Sequence, residues 1–181
     1  MTDLRRNIEM KFRCADLAAA TRRALAAGAE DRGLLHQRDL FFPVIEPVRV
    51  RLKLRLADTA AAAPIPLVGE LISYERPDAA AARVSAYRIA PVADAAALIA
   101  VLTQALGAPR ELRKTRHLLI HGATRIHVDC VHTLNDATFV ELETVVGTQS
   151  QAEATSEMER VVALLGLTDV VPTAYIDLIT N

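Results

Sequence analysis

Tryptophan is absent from these 181 residues, and cysteine occurs only twice. Two cysteines, Cys14 and Cys130, exclude a disulfide framework, and neither belongs to a Cys-x-x-Cys pair. No apolar run reaches the ~18 residues that a membrane-spanning helix needs. The start, Met1-Thr2-Asp3-Leu4-Arg5-Arg6, lacks the apolar stretch of a secretory signal. An excess of charge is missing too: 21 Lys and Arg face 22 Asp and Glu, for a net charge of −1. That balance argues against a protein that coats nucleic acid through bulk positive charge. What is present, 51% hydrophobic and 24% charged residues, is a globular composition. The expectation is one cytoplasmic domain over residues 1–181, with no nucleic-acid and no membrane partner.

Lysine is the scarcest of the abundant residue types. Only Lys11, Lys53 and Lys114 stand against 18 arginines, in a chain that also holds 32 alanines. The bland reading of this bias is a GC-rich genome drifting towards Ala and Arg codons. Against such drift a retained lysine is informative, because the two cations are interchangeable on a solvated face but not at a phosphate or a catalytic position.

Hydrophobic periodicity predicts about eight strands and three helices, mostly antiparallel by loop length, hence α+β. Residues 5–13 alternate, with Asn7, Glu9, Lys11 and Arg13 opposite Ile8, Met10 and Phe12. An alanine-rich helix over 16–27 follows, with Asp16 as its cap and Gly28 as its stop. Strands are expected at 33–42, 49–55, 67–76 and 82–90, with a loop over the Ala- and Pro-rich residues 57–66. Pro91 is read as starting a helix that runs to Leu106. Strands at 110–121, 124–132 and 138–146 come next, then a helix over 150–165. A short C-terminal segment begins at Pro172.

Charge is sorted by strand. Arg49, Arg51, Lys53 and Arg55 share one face; Lys114 and Arg116 share another; Arg125, His127 and Asp129 a third; Glu141 and Glu143 a fourth. All three lysines fall on such faces. Like charges 4 Å apart repel by about 1 kcal/mol in water and about 4 kcal/mol at an effective dielectric of 20. A cationic strand in a confined space therefore needs anionic company. Paired carboxylates at i and i+2 suit a hard cation such as Mg²⁺. Cations for an anion, with carboxylates for a metal bridging to it, describe a polyphosphate site, against the plainer reading of a solvated face with incidental ion pairs. If the sheet closes into a barrel, these charges line a tunnel.

Taken in order, Glu9-x-Lys11, Arg51-Leu-Lys53-Leu-Arg55, Lys114-x-Arg116, Arg125-Ile-His-Val-Asp129 and Glu141-Leu-Glu143 resemble the CYTH superfamily. That group holds class IV adenylyl cyclases, thiamine triphosphatases and triphosphate tunnel enzymes. The likeness runs from about residue 5 to 178. The stretch Glu70 to Asp78, with Arg83-x-Ser85-x-Tyr87, is similar to its bacterial cyclase-like members. The resemblance implies a closed eight-stranded antiparallel β-barrel, a triphosphate tunnel, with flanking helices. It implies triphosphate binding by Lys11, Arg51, Lys53, Arg55, Lys114, Arg116 and Arg125. It implies Mg²⁺ or Mn²⁺ held by Glu9, Asp129, Glu141 and Glu143, with Glu9 and Lys11 catalytic. Ala174-Tyr175-Ile176-Asp177-Leu178 is similar to the family's ending and is expected to close one mouth.

The implied activity is cyclase-like, ATP to cyclic AMP and pyrophosphate. Two alternatives stand beside it: hydrolysis of the terminal phosphate of thiamine triphosphate or tripolyphosphate, and binding of a nucleotide or polyphosphate without turnover. A homodimer is compatible with each. Two departures from the family pattern bear on the choice. Asn7 stands where the opening Glu-x-Glu-x-Lys has its first glutamate, which should weaken metal binding. Tyr74-Glu75-Arg76-Pro77 puts an anion where a phosphate-binding lysine is usual. His121, His127 and His132 match no zinc spacing. Cys130 is expected in the core, Cys14 to be inert, and Arg5, Arg6, Arg22 and Arg23 to be solvated.

Overall fold

The computed structural model describes residues 4–44, 50–57, 68–75 and 81–179. Arg49, Arg76 to Asp78 and the Ala- and Pro-rich stretch 58–67 lie outside the described residues. Eleven elements follow in chain order: β1 (Arg5–Arg13), α1 (Leu17–Ala26), β2 (Glu30–Phe42), β3 (Val50–Ala57), β4 (Gly69–Glu75), β5 (Arg83–Val92), α2 (Ala95–Leu106), β6 (Arg110–His121), β7 (Thr124–Val131), β8 (Ala137–Val145) and α3 (Gln151–Leu165). A 3₁₀ turn, Tyr175–Leu178, ends the described chain.

Every strand pairs antiparallel with its neighbours, and the order β1-β5-β4-β3-β2-β6-β7-β8 closes into a barrel when β8 meets β1. Strict alternation then decides what lies inside. On β1 the polar set Asn7, Glu9 and Lys11 points into the lumen, whereas Ile8 and Phe12 point out and are 1% exposed. The usual arrangement is inverted: the lumen is polar, and the apolar core sits between the barrel's outer wall and its helices.

That outer core has two parts. One packs α1 and α3 over β1, β7 and β8: Ala20 and Ala24 of α1 and Ala154, Met158, Val161 and Leu165 of α3 meet Ile8, Ile126, Val140 and Leu142. The α3 residues recur at helical spacing, one apolar stripe on a polar helix. Each fully buried Leu, Ile or Met contributes about 1.5–3 kcal/mol. The other part sets α2 over β2 and β3, with Leu40, Phe42, Leu54, Leu56 and Ala95 at its centre. Side chains cap all three helices: Asp16 accepts from Ala19 N at 2.8 Å, Asp94 from Ala97 N at 2.9 Å, and Ser150 forms a reciprocal box with Glu153.

Two boundaries differ from the sequence reading. Pro91 lies inside β5 opposite Glu70, and α2 begins at Ala95 behind the Asp94 cap. Pairing of β5 with β1 stops at Tyr87, so its far end is bonded on one side only and tolerates a residue without an N–H. β2 begins at Glu30 rather than 33, because Gly33, at φ +82°, makes an irregularity in the β2–β6 register instead of ending the strand. Cys130 is a further correction: it is half-buried on the outer wall, not in the core.

Candidate active site

The lumen encloses a cavity of about 330 Å³ lined by side chains from all eight strands. Register explains how residues distant in sequence converge. Asp39 of β2 lies opposite Arg55 of β3, Arg116 of β6 opposite Asp129 of β7, and His127 of β7 opposite Glu141 of β8, which in turn faces Lys11 of β1.

Three charge clusters form. In the first, Asp39 accepts from Lys53 Nζ at 2.9 Å and from Arg55 Nε and Nη2 at 2.8 and 3.0 Å. Burial pushes the Asp39 carboxyl up, but Arg55 and Lys53 outweigh it and hold Asp39 well below its ordinary range. Burial, reinforced by the adjacent Arg55 charge, pulls Lys53 down to about 8.

In the second cluster Arg116 forks onto Asp129 at 2.7 and 2.6 Å and reaches Glu141 at 2.8 Å. Lys114 is 3.6 Å from Asp129 and Lys11 3.5 Å from Glu141. Tyr175 stacks over this group: its hydroxyl donates to Asp129 at 3.0 Å, and Lys11 Nζ sits 3.7 Å from its ring centre. Burial and then the Asp129 charge drive the Tyr175 hydroxyl well above its ordinary range, so it stays a donor. Burial opposes ionisation of Asp129, yet Arg116 and Lys114 hold its carboxyl far down.

In the third cluster His127 Nδ1 stands 3.8 Å from both Glu141 Oε2 and Glu143 Oε1, and Arg125 is 3.6 Å from Glu143. At 3.8 Å neither contact is a hydrogen bond, and His127 Nδ1 is buried with no hydrogen-bond partner among the described residues. Burial and the nearby Arg116 pull His127 below its ordinary value, which favours the neutral imidazole, the form that ligates metals. Donor atoms of His127, Glu141 and Glu143 lie within 4.8 Å of one another. The set therefore fits a divalent cation: two carboxylate oxygens and an orphaned imidazole nitrogen converge on one point.

The sequence-predicted residues are mostly brought together. Glu9, Lys11, Lys53, Arg55, Lys114, Arg116, Arg125, Glu141 and Glu143 all line the cavity. Two sit elsewhere. Arg51 is turned to the C-terminal segment, where it forks onto Asp177 at 2.8 and 2.6 Å. Asp129 is fully buried behind Arg116, outside the cavity lining and outside the His127 cluster. Glu9 pairs with Arg83 at 3.3 Å. Glu75 is exposed, and Tyr74 beside it lines the cavity; the anion expected among the cavity's cations is not there, because strand parity turns Glu75 outward. Asn7 keeps its place in the lumen, with Oδ1 buried and without a hydrogen-bond partner among the described residues. Arg5, expected to be solvated, is exposed and stands at the cavity's rim.

Sequence reasoning missed Asp39 and gave Arg83 and His127 no role. A signal existed for Asp39: it shares parity with Gln37 and Phe41 and opposes the buried Leu40 and Phe42. The C-terminal segment closes one end as expected. Tyr175 and Val171 pack with Phe139, Leu112 and Val131, and Lys11 and Arg83 donate to the carbonyls of Thr173 and Pro172 at 3.1 and 2.9 Å. The wall made by β4 and β5 is less charged, with Ile72, Tyr74, Ser85, Tyr87 and Ile89 beside the lone carboxylate Glu70.

No protein-family model and no curated sequence matches the chain. Solved structures do. One is the PH1012 protein of Pyrococcus horikoshii, 21% identical, with a TM-score of 0.80 over 96% of this chain and 99% of that one. A second, from Vibrio parahaemolyticus and named as a candidate adenylate cyclase, is 18% identical with a TM-score of 0.70 over 94% and 95%. A third, from Hippeastrum, is a candidate adenylyl cyclase described as having a dominant triphosphatase activity; it is 13% identical with a TM-score of 0.65 over 97% and 94%. The fold is therefore shared with these proteins: the closed eight-stranded antiparallel barrel that the motifs anticipate.

Proposed function

We propose that the chain, acting as one unit over 1–181, is a divalent-metal-dependent enzyme that binds an organic triphosphate in its tunnel. The observation that carries this reading is the ring of Lys11, Lys53, Arg55, Lys114 and Arg116 around one cavity, facing the His127, Glu141 and Glu143 cluster. Buried guanidinium forks suit phosphoryl oxygens, and fixed positive charge in a dry site stabilises the transition state of phosphoryl transfer. A bound Mg²⁺ or Mn²⁺ would neutralise phosphate charge and polarise the bond that breaks.

The chain's own residues would then act as follows. Asp39 holds the Lys53 ammonium and the Arg55 fork in place, and a phosphate oxygen takes over from the carboxylate as their acceptor. Asp129 braces Arg116 from behind and remains its acceptor when ligand binds. Lys11, anchored by Thr173 and Tyr175, presents charge at the closed end. The ring-bearing part of the substrate lies towards Tyr74 and Tyr87, where the walls are less charged.

The leading reaction is cyclase-like: the ribose 3′-hydroxyl attacks the α-phosphate and pyrophosphate leaves. Hydrolysis of the terminal phosphate uses the same cradle, and the activity described for the Hippeastrum neighbour makes it the second reading. The test is a screen of ATP, thiamine triphosphate and tripolyphosphate with Mg²⁺ or Mn²⁺, following phosphate, pyrophosphate and cyclic nucleotide together. Cyclic AMP and pyrophosphate in equal amounts support the first reading. Orthophosphate without cyclic nucleotide replaces it with the second, and saturable binding without any product reduces the proposal to a binding protein.

A further inference from the structure

We propose that the outer wall of the barrel carries a second, separate site for a thiophilic divalent cation of the zinc class, made by Cys130 Sγ, His132 Nδ1 and Asp136 Oδ1. The three donor atoms lie within 4.8 Å of one another. Asp136 Oδ1 is 2.7 Å from His132 Nδ1 and 3.8 Å from Cys130 Sγ. Donors on one tetrahedral zinc ion, at bond lengths of about 2.0–2.3 Å, stand roughly 3.3–3.8 Å apart. The cysteine and aspartate already have that separation, and the His132–Asp136 hydrogen bond must open by about 1 Å for a cation to enter.

Two features outside the donor set favour a built site. The Thr115 hydroxyl lies 2.9 Å from His132 Nε2, which fixes the ring with Nδ1 turned to the other donors; metal-bound histidines are characteristically held this way through their second nitrogen. Thr115 is itself placed by the sheet, since β6 sets it directly opposite Cys130 and β2 sets His36 opposite Thr115, His36 Nδ1 being 3.2 Å from the same hydroxyl. The connection from β7 to β8 adds the second feature. Asn135 and Asp136 both adopt left-handed backbone, at φ +55° and +58°, a region that residues other than glycine seldom occupy. That bend carries Asp136 back over the end of β7.

A thiolate, an imidazole and one carboxylate select zinc-class cations over Mg²⁺, and three protein ligands leave a fourth position for water. Binding converts the Cys130 thiol to thiolate and releases its proton to solvent, with no change of oxidation state. The site is distinct from the tunnel: Asp129 and Val131 on either side of Cys130 point inward, and Cys130 points out.

Cobalt(II), added to the reduced full chain in excess Mg²⁺, is the probe, because a thiolate–cobalt bond gives a charge-transfer absorption that carboxylate or imidazole alone does not. The expected result is a band saturating at one equivalent in the wild type and in Cys14→Ser, and lost in Cys130→Ser. Thr115→Val should keep the band but bind cobalt about 10- to 100-fold more weakly. Asp136→Asn, at a side chain 73% exposed and so harmless to folding, should weaken binding at least tenfold. No saturable band in the wild type, a band surviving in Cys130→Ser, or unchanged affinity in Thr115→Val or Asp136→Asn would overturn the proposal.

Discussion

Asp39 retains 1% of its exposure and serves two cations at once, so one of their two positive charges is offset before any ligand arrives. Replacing it by asparagine leaves Lys53 and Arg55 buried without their counter-charge, which should destabilise the protein by about 3–5 kcal/mol in thermal or denaturant unfolding. Tripolyphosphate should then raise the melting temperature more in Asp39→Asn than in the wild type; an equal or smaller rise would show that the anion does not replace the carboxylate. Lys53 gives a second test. Its ammonium titrates at about 8 in the fold, against 10.5 for a free lysine. Between those values the unfolded chain holds a proton that the native protein lacks, so this group makes stability rise with pH over that window. A polyanion reverses the preference. Binding of tripolyphosphate at about pH 9 should take up a proton, measurable by calorimetry in buffers of different ionisation enthalpy, with affinity falling as pH climbs through 8. Equal proton uptake at about pH 7.5 would contradict the assignment.

At the scale of elements, alternation made most of the tunnel legible. Each strand's charged parity could be read from one sequence, and the structure turns those parities inward. What could not be read is which parity faces which across the barrel, since that depends on register between residues as distant as Lys11 and Glu141. Hence the motif order groups Asp129 with Glu141 and Glu143, whereas register sets it against Arg116, and the motif order gives no sign that His127 lies beside both glutamates. Pro91 and Gly33 are ambiguous in sequence for a related reason: their meaning depends on whether a neighbouring strand is bonded at that point. The C-terminal segment explains Arg51. Its fork onto Asp177, each side chain about 30% exposed, holds the closing turn across the barrel's end. Arg51→Ala should therefore leave triphosphate affinity within about twofold, while Lys53→Ala or Arg55→Ala should weaken it by tenfold or more, each removed charge-assisted bond being worth about 1.5–3 kcal/mol. Titration calorimetry of the three variants decides between a phosphate ligand and a strut. Helix α3, by contrast, is anchored locally, and Ser150→Ala should lower stability by about 1 kcal/mol without altering affinity.

For the whole molecule, polar inside and apolar outside means that folding and binding draw on different surfaces. The helices bury the barrel's outer wall, and the lumen is free to hold charge that an ordinary core would exclude. This separation accounts for the survival of lysine on tunnel faces alone: Lys11, Lys53 and Lys114 all line the cavity. It also predicts a metal preference. Two carboxylates with an imidazole suit Mn²⁺ better than Mg²⁺, which favours oxygen alone and sheds water reluctantly. Activity or triphosphate binding should be stronger with Mn²⁺ at equal concentration, and His127→Ala should remove most of that difference. The most direct measurement is calorimetric titration of tripolyphosphate with Mn²⁺ into the wild type, Lys114→Gln in the lumen, and Arg160→Gln on the exposed face of α3. The account predicts saturable one-to-one binding, weakened at least tenfold in Lys114→Gln and unchanged in Arg160→Gln. Absent heat in the wild type, or equal losses in the two variants, would contradict it.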